Sequence, residues 1–208
     1  GGVLPLVMIP LLNKTCNPLI ARLNEMIAAG KLSLQPLTLS LILPAGVSFY
    51  FFQSMGYLID VYRGKSKAEH HFGYYALFVS FFPQLLAGPI GRADSLLPQY
   101  KKERPFVYDN VTYGLKLMVW GYFKKLVIAD VFAGTVNDVY NNAQSYVGLA
   151  FIVATLMFAV EIYCDFSGYS DIAIGCARLF GIDLMTNFKS PYFSFSIREF
   201  WSRWHISL

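Results

Sequence analysis

Three long stretches of the chain carry no Asp, Glu, Lys or Arg: Leu32–Ile59, Phe72–Gly91 and Val139–Val160. Each can supply the roughly 20 apolar residues that a membrane-spanning helix needs. A soluble bundle with helices of this length would show polar outer faces. The pattern instead sets apolar runs against short charged connections, which predicts an all-α, polytopic membrane protein.

The first apolar stretch, Gly1–Leu12, lacks the basic start of a signal peptide and is expected to be the end of an apolar segment whose beginning is missing. Asn13–Lys31 mixes Lys14, Arg22, Glu25 and Lys31 with Leu19, Ile20, Leu23 and Ile27, as a partly amphipathic interfacial helix would. Leu37–Ile59 holds Pro44 and Gly46 among many Phe and Tyr residues, which suits a kinked membrane helix with an aromatic belt.

A conflict arises at the next run. If Phe72–Ile90 crossed the bilayer completely, the loops Asp60–His71 and Arg92–Asp109 would face opposite sides, yet they carry three and four Lys/Arg respectively. The excess of cations expected on the cytoplasmic side then gives no orientation. The resolution adopted here is that Pro83, Gly88 and Pro89 break the segment into a re-entrant or broken helix.

Tyr108–Ala133 is patterned as a helix that carries Lys116, Lys124, Lys125 and Asp130. It is expected to be tilted, shallow or buried against other helices, with lysines that snorkel to the interface as the plainest reading. Ser145–Tyr163 reads as a spanning helix ending in Glu161–Asp171, the most polar intramembrane stretch. Within it Glu161 and Asp165 share a helix face, and Ser167-Gly168 is expected to interrupt the helix. Carboxylates there either take part in chemistry or, like Asp165 and Asp171, pair with Arg or cap a half-helix.

Toward the end, Ser196-Ile197-Arg198-Glu199 matches the capping box, so a helix should start near Ile197 and include His205. At about 100° per residue, Arg198, Trp201, Ser202 and His205 would share one face, with Glu199 and Arg203 paired on another. Imidazole is the side chain best suited to take a proton from an attacking hydroxyl near neutral pH, although a lone His beside Trp also fits a structural role. His70 and His71 lie in a charged loop and should be solvated.

Composition narrows the picture. Of the 208 residues 55% are hydrophobic and 14% charged, with a mean hydropathy of +0.44, beyond the ordinary soluble range. The net charge of +4 does not point to nucleic acid, because the basic residues lie in short loops rather than along one face. Cys16, Cys164 and Cys176 form neither a C-x-x-C pair nor an even framework, so free thiols and no metal site are expected.

Several stretches then carry a family resemblance. They are L-P-A-G-V-S-F-Y from Leu43, F-F-P-Q-L-L-A-G-P-I from Phe81, F-K-K-L-V-I-A-D from Phe123, D-F-S-G-Y-S-D-I-A-I-G from Asp165, N-F-K-S-P-Y from Asn187 and R-E-F-W-S-R-W-H-I-S-L from Arg198. From Leu43 onward the chain resembles the alginate O-acetyltransferase branch of the membrane-bound O-acyltransferase family, and more distantly the teichoic acid D-alanyl transfer proteins.

The resemblance implies that 1–208 is part of one transmembrane domain, truncated at both ends, with re-entrant pieces around a buried tunnel. No bound cofactor is implied. An acyl thioester such as acetyl-CoA would be a substrate, its acetyl group passing across the inner membrane to a polysaccharide or a periplasmic partner acetyltransferase. His205 matches the first of two family histidines, and the second, in a Trp-His pair, is expected beyond Leu208, so the chain alone should be inactive. Asp165, Ser167, Asp171, Arg198, Trp201 and Trp204 would line or brace the tunnel. Pro83, Gln84, Gly88 and Pro89 would shape the re-entrant backbone, with Gln84 satisfying freed backbone groups. A transporter with broken helices and a non-catalytic acyl-conducting subunit are the rival readings.

Overall fold

The computed structural model describes residues 20–29, 46–85 and 88–208. The stub Gly1–Leu12, Cys16 and the Pro44 kink lie outside the described residues. All regular structure among the described residues is helical. A short helix, α1, covers 20–28. It is followed by α2 (Val47–Tyr62), α3 (Phe72–Ser80), α4 (Ala93–Tyr100), α5 (Tyr108–Tyr122), α6 (Asp130–Asn141), α7 (Gly148–Leu179) and α8 (Ile197–Arg203).

The second charge-free run is broken. Pro83 has no N–H to offer the carbonyl four residues back, and its ring would collide with that carbonyl, so α3 stops at Ser80. Phe81 is extended (φ −62°, ψ 101°) and a single 3₁₀ turn follows at Phe82–Gln84. Nine residues of α-helix reach about 14 Å, less than half of the roughly 30 Å hydrocarbon core. The Phe78 carbonyl, released by the break, accepts from Gln53 Nε2 at 2.8 Å and more distantly from Gln84 Nε2 at 3.5 Å. Gln53 on α2 therefore carries most of the task assigned to Gln84.

The two basic loops meet at one end of the molecule. Lys101 Nζ lies 2.6 Å from Glu69 Oε2, and Arg92 lies 3.9 Å from Asp60. Glu69 also accepts from the His71 N–H at 3.0 Å, and its own N–H donates to the Tyr57 hydroxyl at 2.8 Å. The Lys101 ammonium and the His71 N–H hold the Glu69 carboxyl below its ordinary range. Beneath these links Tyr57, Phe78, Phe81, Leu96, Leu97 and Ile182 form a buried cluster. Gln99 joins the end of α7 to the same face, donating to the Asp183 carbonyl at 3.1 Å and accepting from the Asp183 N–H at 2.8 Å. His70 and His71 are exposed, as expected of a charged loop.

Opposite the broken segment, α5 and α6 are joined without a turn by seven residues of π-helix, Phe123–Ala129. This rod packs along α7 in antiparallel fashion. At two levels glycine faces glycine: a Cβ on Gly114 would lie 2.6 Å from the Gly175 carbonyl oxygen, and one on Gly121 would lie 2.6 Å from that of Gly168. The reciprocal positions are equally tight. Small residues at a helix crossing let backbones approach and gain dispersion contacts that lipid does not offer. This also corrects the expected interruption at Ser167-Gly168: α7 runs unbroken for 32 residues, and Gly168 serves contact with α5 rather than a bend.

Among the described residues α7 is the one helix long and apolar enough to cross a membrane by length and composition. The polytopic reading rests on the sequence runs, not on a second such helix.

Candidate functional site

Two groups of candidate side chains are assembled against α7. The first is polar. Lys124, on the π-helical stretch, is buried and lies 2.6 Å from Asp171 Oδ2 while donating to Ser167 Oγ at 3.0 Å. Its ammonium also sits 6.0 Å from the centre of the Tyr163 ring. Lys125 reaches α7 six residues earlier, 2.6 Å from Asp165, and also lies 2.8 Å from Asp130 of α6.

Two consecutive lysines on a regular α-helix point about 100° apart. The wider π turn lets both meet carboxylates of α7. Such π segments occur mostly at functional places in helices. Lys124 therefore does not snorkel, because the carboxylate inside outweighs the pull of the interface. Of the readings left open for Asp165 and Asp171, the pairing one is what the structure displays, with lysine rather than arginine. Glu161 Oε2 and Ser170 Oγ are buried with no hydrogen-bond partner among the described residues.

The second group surrounds His205. α8 begins where the capping box requires: Ser196 Oγ accepts from the Glu199 N–H at 3.1 Å, and Glu199 Oε2 accepts from the Phe195 N–H at 2.8 Å. The Glu199–Arg203 pair closes at 2.5 Å. The helix then ends at Arg203, and Trp204 is extended (φ −104°, ψ 126°). His205 is left-handed at φ +48°, a conformation uncommon for a non-glycine residue. The expectation that His205 continues α8 is thus corrected, and with it the shared face: Arg198 and Trp201 are exposed, and Trp201 meets the rings around His205 only through Phe200.

The strained turn is held by Asn187, which is fully buried. Its carbonyl accepts from the Ile206 N–H at 3.0 Å and its Oδ1 from the Ser207 N–H at 3.2 Å. Ser207 Oγ in turn accepts from the Ile90 N–H at 3.0 Å, tying the turn to the broken segment that ends in Pro89-Ile90. Gly88 belongs to that same packing, since a Cβ there would lie 2.4 Å from Gln84 Cα.

Aromatic rings complete the shell. Phe166 stands edge to face against the imidazole at 4.8 Å, and Phe188 bridges Phe166 and Trp204 at 5.1 Å each. Tyr163 contacts Phe188, Tyr192 and Trp204, and the Tyr192 hydroxyl donates to the Ala159 carbonyl at 2.5 Å. His205 Nε2 is buried within this shell without a hydrogen-bond partner among the described residues. Asp165, Ser167, Asp171 and Trp204 therefore adjoin the His205 shell through α7 and Tyr163. Pro83 and Gln84 are buried in the broken segment.

Sequence reasoning missed Asn187 as an anchor, Gln53 as a partner for the broken helix, and the facing glycines. The glycine signal was present as a seven-residue spacing, Gly114/Gly121 on one helix and Gly168/Gly175 on the other.

Residues 66–208 match the model of the membrane-bound O-acyltransferase family. Among curated proteins the chain is 42% identical to the probable alginate O-acetylase AlgI of Pseudomonas aeruginosa over 89% of its own length and 35% of that protein's. It is 39% identical to a peptidoglycan O-acetyltransferase of Helicobacter pylori, covering 82% of the chain and 37% of the relative. A teichoic acid D-alanyltransferase of Streptococcus thermophilus is 29% identical over 82% of the chain and 42% of its own length. The chain thus spans about 35% of the length of the first of these relatives.

Proposed function

Because this chain belongs to the membrane-bound O-acyltransferase family, we propose that it forms part of an integral-membrane enzyme that moves an acyl group, acetyl in the nearest reading, from a thioester donor to a polysaccharide hydroxyl or to a partner acetyltransferase. The relatives named for alginate and peptidoglycan O-acetylation support acetyl and a glycopolymer acceptor. The relative named for teichoic acid D-alanylation supports the broader acyl class.

The observation that carries this reading is His205: an imidazole whose Nε2 is buried without a hydrogen-bond partner among the described residues, on a left-handed turn locked by Asn187. In the proposed step the acceptor hydroxyl gives its proton to the imidazole as its oxygen bonds to the acyl carbon. The tetrahedral species then expels the thiolate, which takes up the proton. Replacing His205 by Gln in the full-length protein is expected to lower polymer acetylation by about 10²-fold or more, measured as ester content of the isolated polymer. Unchanged acetylation would remove His205 from the chemistry and leave an acyl-conducting role.

We also read the face bearing both basic loops as cytoplasmic. Loops Asp60–His71 and Arg92–Asp109 carry seven Lys/Arg between them, whereas no Lys or Arg occurs between Lys125 and Arg178. This orientation directs α7 from the periplasmic side at Gly148 to the cytoplasmic side at Leu179. Phe72–Ile90 then enters and returns on the cytoplasmic face. Single cysteines at Lys67 and Lys102 in a cysteine-free background should both react with a membrane-impermeant maleimide only in inverted vesicles. Labelling of the two positions from opposite sides contradicts the re-entrant path.

A further inference from the structure

Given the acyl-transfer reading above, on which this role rests, we infer that Ser207 is a positioning residue for His205. Its hydroxyl makes the direction of the imidazole depend on the broken segment rather than on α8. A non-glycine residue in the left-handed region persists only where its surroundings over-determine it, and His205 is at φ +48°. On the N-terminal side the backbone is held by the Trp204 N–H, which donates to the Phe200 carbonyl at 2.9 Å. On the C-terminal side the bonds are denser. Asn187 takes the Ile206 N–H on its carbonyl and the Ser207 N–H on its Oδ1, and the His205 carbonyl takes the Leu208 N–H at 3.0 Å.

These bonds set the shape of the turn. Its placement against the rest of the molecule is set by the Ser207 hydroxyl, which accepts from the Ile90 N–H at 3.0 Å across 117 residues of chain. Ile90 follows Pro89 outside any helix, so its N–H has no helical partner and Ser207 supplies the acceptor. Ser207 is 5% exposed, which leaves water little access to compete. The broken segment is itself anchored: a Cβ on Gly88 would lie 2.4 Å from Gln84 Cα and 3.2 Å from Ala173 Cβ of α7. The Ile90–Ser207 bond hands that anchorage to the turn.

The rings around the imidazole cannot do the same. Phe166 restrains it through packing, which is non-directional, whereas a hydrogen bond weakens steeply when its angle changes. Two residues of chain span at most about 7 Å, so a shift at Ser207 reaches His205 with little in between to absorb it. An ångström of misplacement at a reacting group costs about 10²-fold in rate.

Three variants of the full-length protein in membrane vesicles test the role. Ser207→Ala removes the acceptor, Ser207→Thr keeps it, and Ile90→Pro removes the donor from the other side of the bond. The extra methyl of threonine has room in the cavity of about 340 Å³ that Ser207 lines. Carbethoxylation of His205 by diethyl pyrocarbonate, followed on its peptide by mass spectrometry, reports access to the imidazole without turnover. Initial rates of acetyl transfer from acetyl-CoA report kcat and KM.

Ser207→Ala and Ile90→Pro should each speed modification of His205 about tenfold, with His70 and His71 unchanged, and lower kcat about tenfold at an unchanged KM. Combining them should add nothing, because both remove one bond. Ser207→Thr should match the wild type in both readouts. Lower thermal stability with wild-type modification rate and kcat overturns the role and leaves a merely structural bond. A threonine variant as impaired as the alanine one overturns it too. If Ile90→Pro does not fold, the alanine and threonine pair decides alone. Unchanged acetylation in His205→Gln sinks the acyl-transfer reading, while the modification rates still decide whether Ser207 holds the turn.

Discussion

Replacing Lys124 by Met is expected to destabilise the protein by about 3–5 kcal/mol, because it strands the Asp171 carboxylate of α7 against the π-helical stretch without its cation. Lys124 is 7% exposed, and its ammonium is shared between Asp171 at 2.6 Å and Ser167 at 3.0 Å. Methionine fills the volume but supplies neither charge nor donor. Removing both partners in Lys124→Met/Asp171→Leu should restore most of the loss, since the desolvation penalty disappears with the second charge. Unfolding in mixed micelles, followed for wild type, the single variant and the double, tests this. Equal losses in the single and double variants would show that the pair, rather than the stranded charge, sets the cost. If the proposed acyl transfer holds, the single variant should also reduce it in the full-length protein, because the ion pair fixes the face of α7 on which Tyr163 and Phe166 support the His205 turn.

The second large effect is at the glycine contact. Leucine at Gly121 would place its Cβ 2.6 Å from the Gly168 carbonyl oxygen and 2.7 Å from Ile172 Cγ1. Two helix backbones stand in the way, not the tip of a flexible side chain, so α5 and α7 must separate. The expected cost is about 3 kcal/mol or more, at the upper end of overpacking. Gly121→Ala should cost less but not nothing, since even one carbon meets a carbonyl. Separation at Gly121 also pulls Lys124 from Asp171. The combination Gly121→Leu/Lys124→Met should therefore be less damaging than the sum of its parts. Strict additivity would mean that the glycine contact and the ion pair are energetically independent.

How far the site could be read in the sequence depends on how local each feature is. The start of α8 was legible because a capping box is satisfied within a few residues: Ser196 Oγ takes the Glu199 N–H, while the Glu199 carboxylate reaches back to the Phe195 N–H, one residue before the N-cap. The break before Pro83 was legible because proline removes a donor wherever it stands. The end of α8 was not. Nothing within Arg198–His205 forbids another helical turn. What stops the helix is Asn187, ten residues before Ile197, whose carbonyl and amide capture the Ile206 and Ser207 N–H groups. The same holds for Ser167-Gly168, read as a weak point until its partner Gly121 is seen across the interface.

The resemblance motifs named candidate residues but not their grouping. Arg198, Trp201 and His205 fall on one face only if the helix continues, and it does not. Lys124 and Lys125 read as interfacial lysines because a π-helical stretch has no distinct sequence signature. Their roles emerged only when both were seen against the carboxylates of α7.

Apolar runs, proline positions and capping residues thus settled the helical class, the bilayer as solvent and the broken second run, because hydrophobic transfer and backbone donors are properties of the residues themselves. Which loops share a face, which lysine meets which carboxylate and how His205 is held depend on segments far apart in the chain. Glu69 with Lys101, Lys124 with Asp171 and Asn187 with Ser207 are such pairs. Their energies exist only at contact distance, so they are fixed when the helices pack and not before.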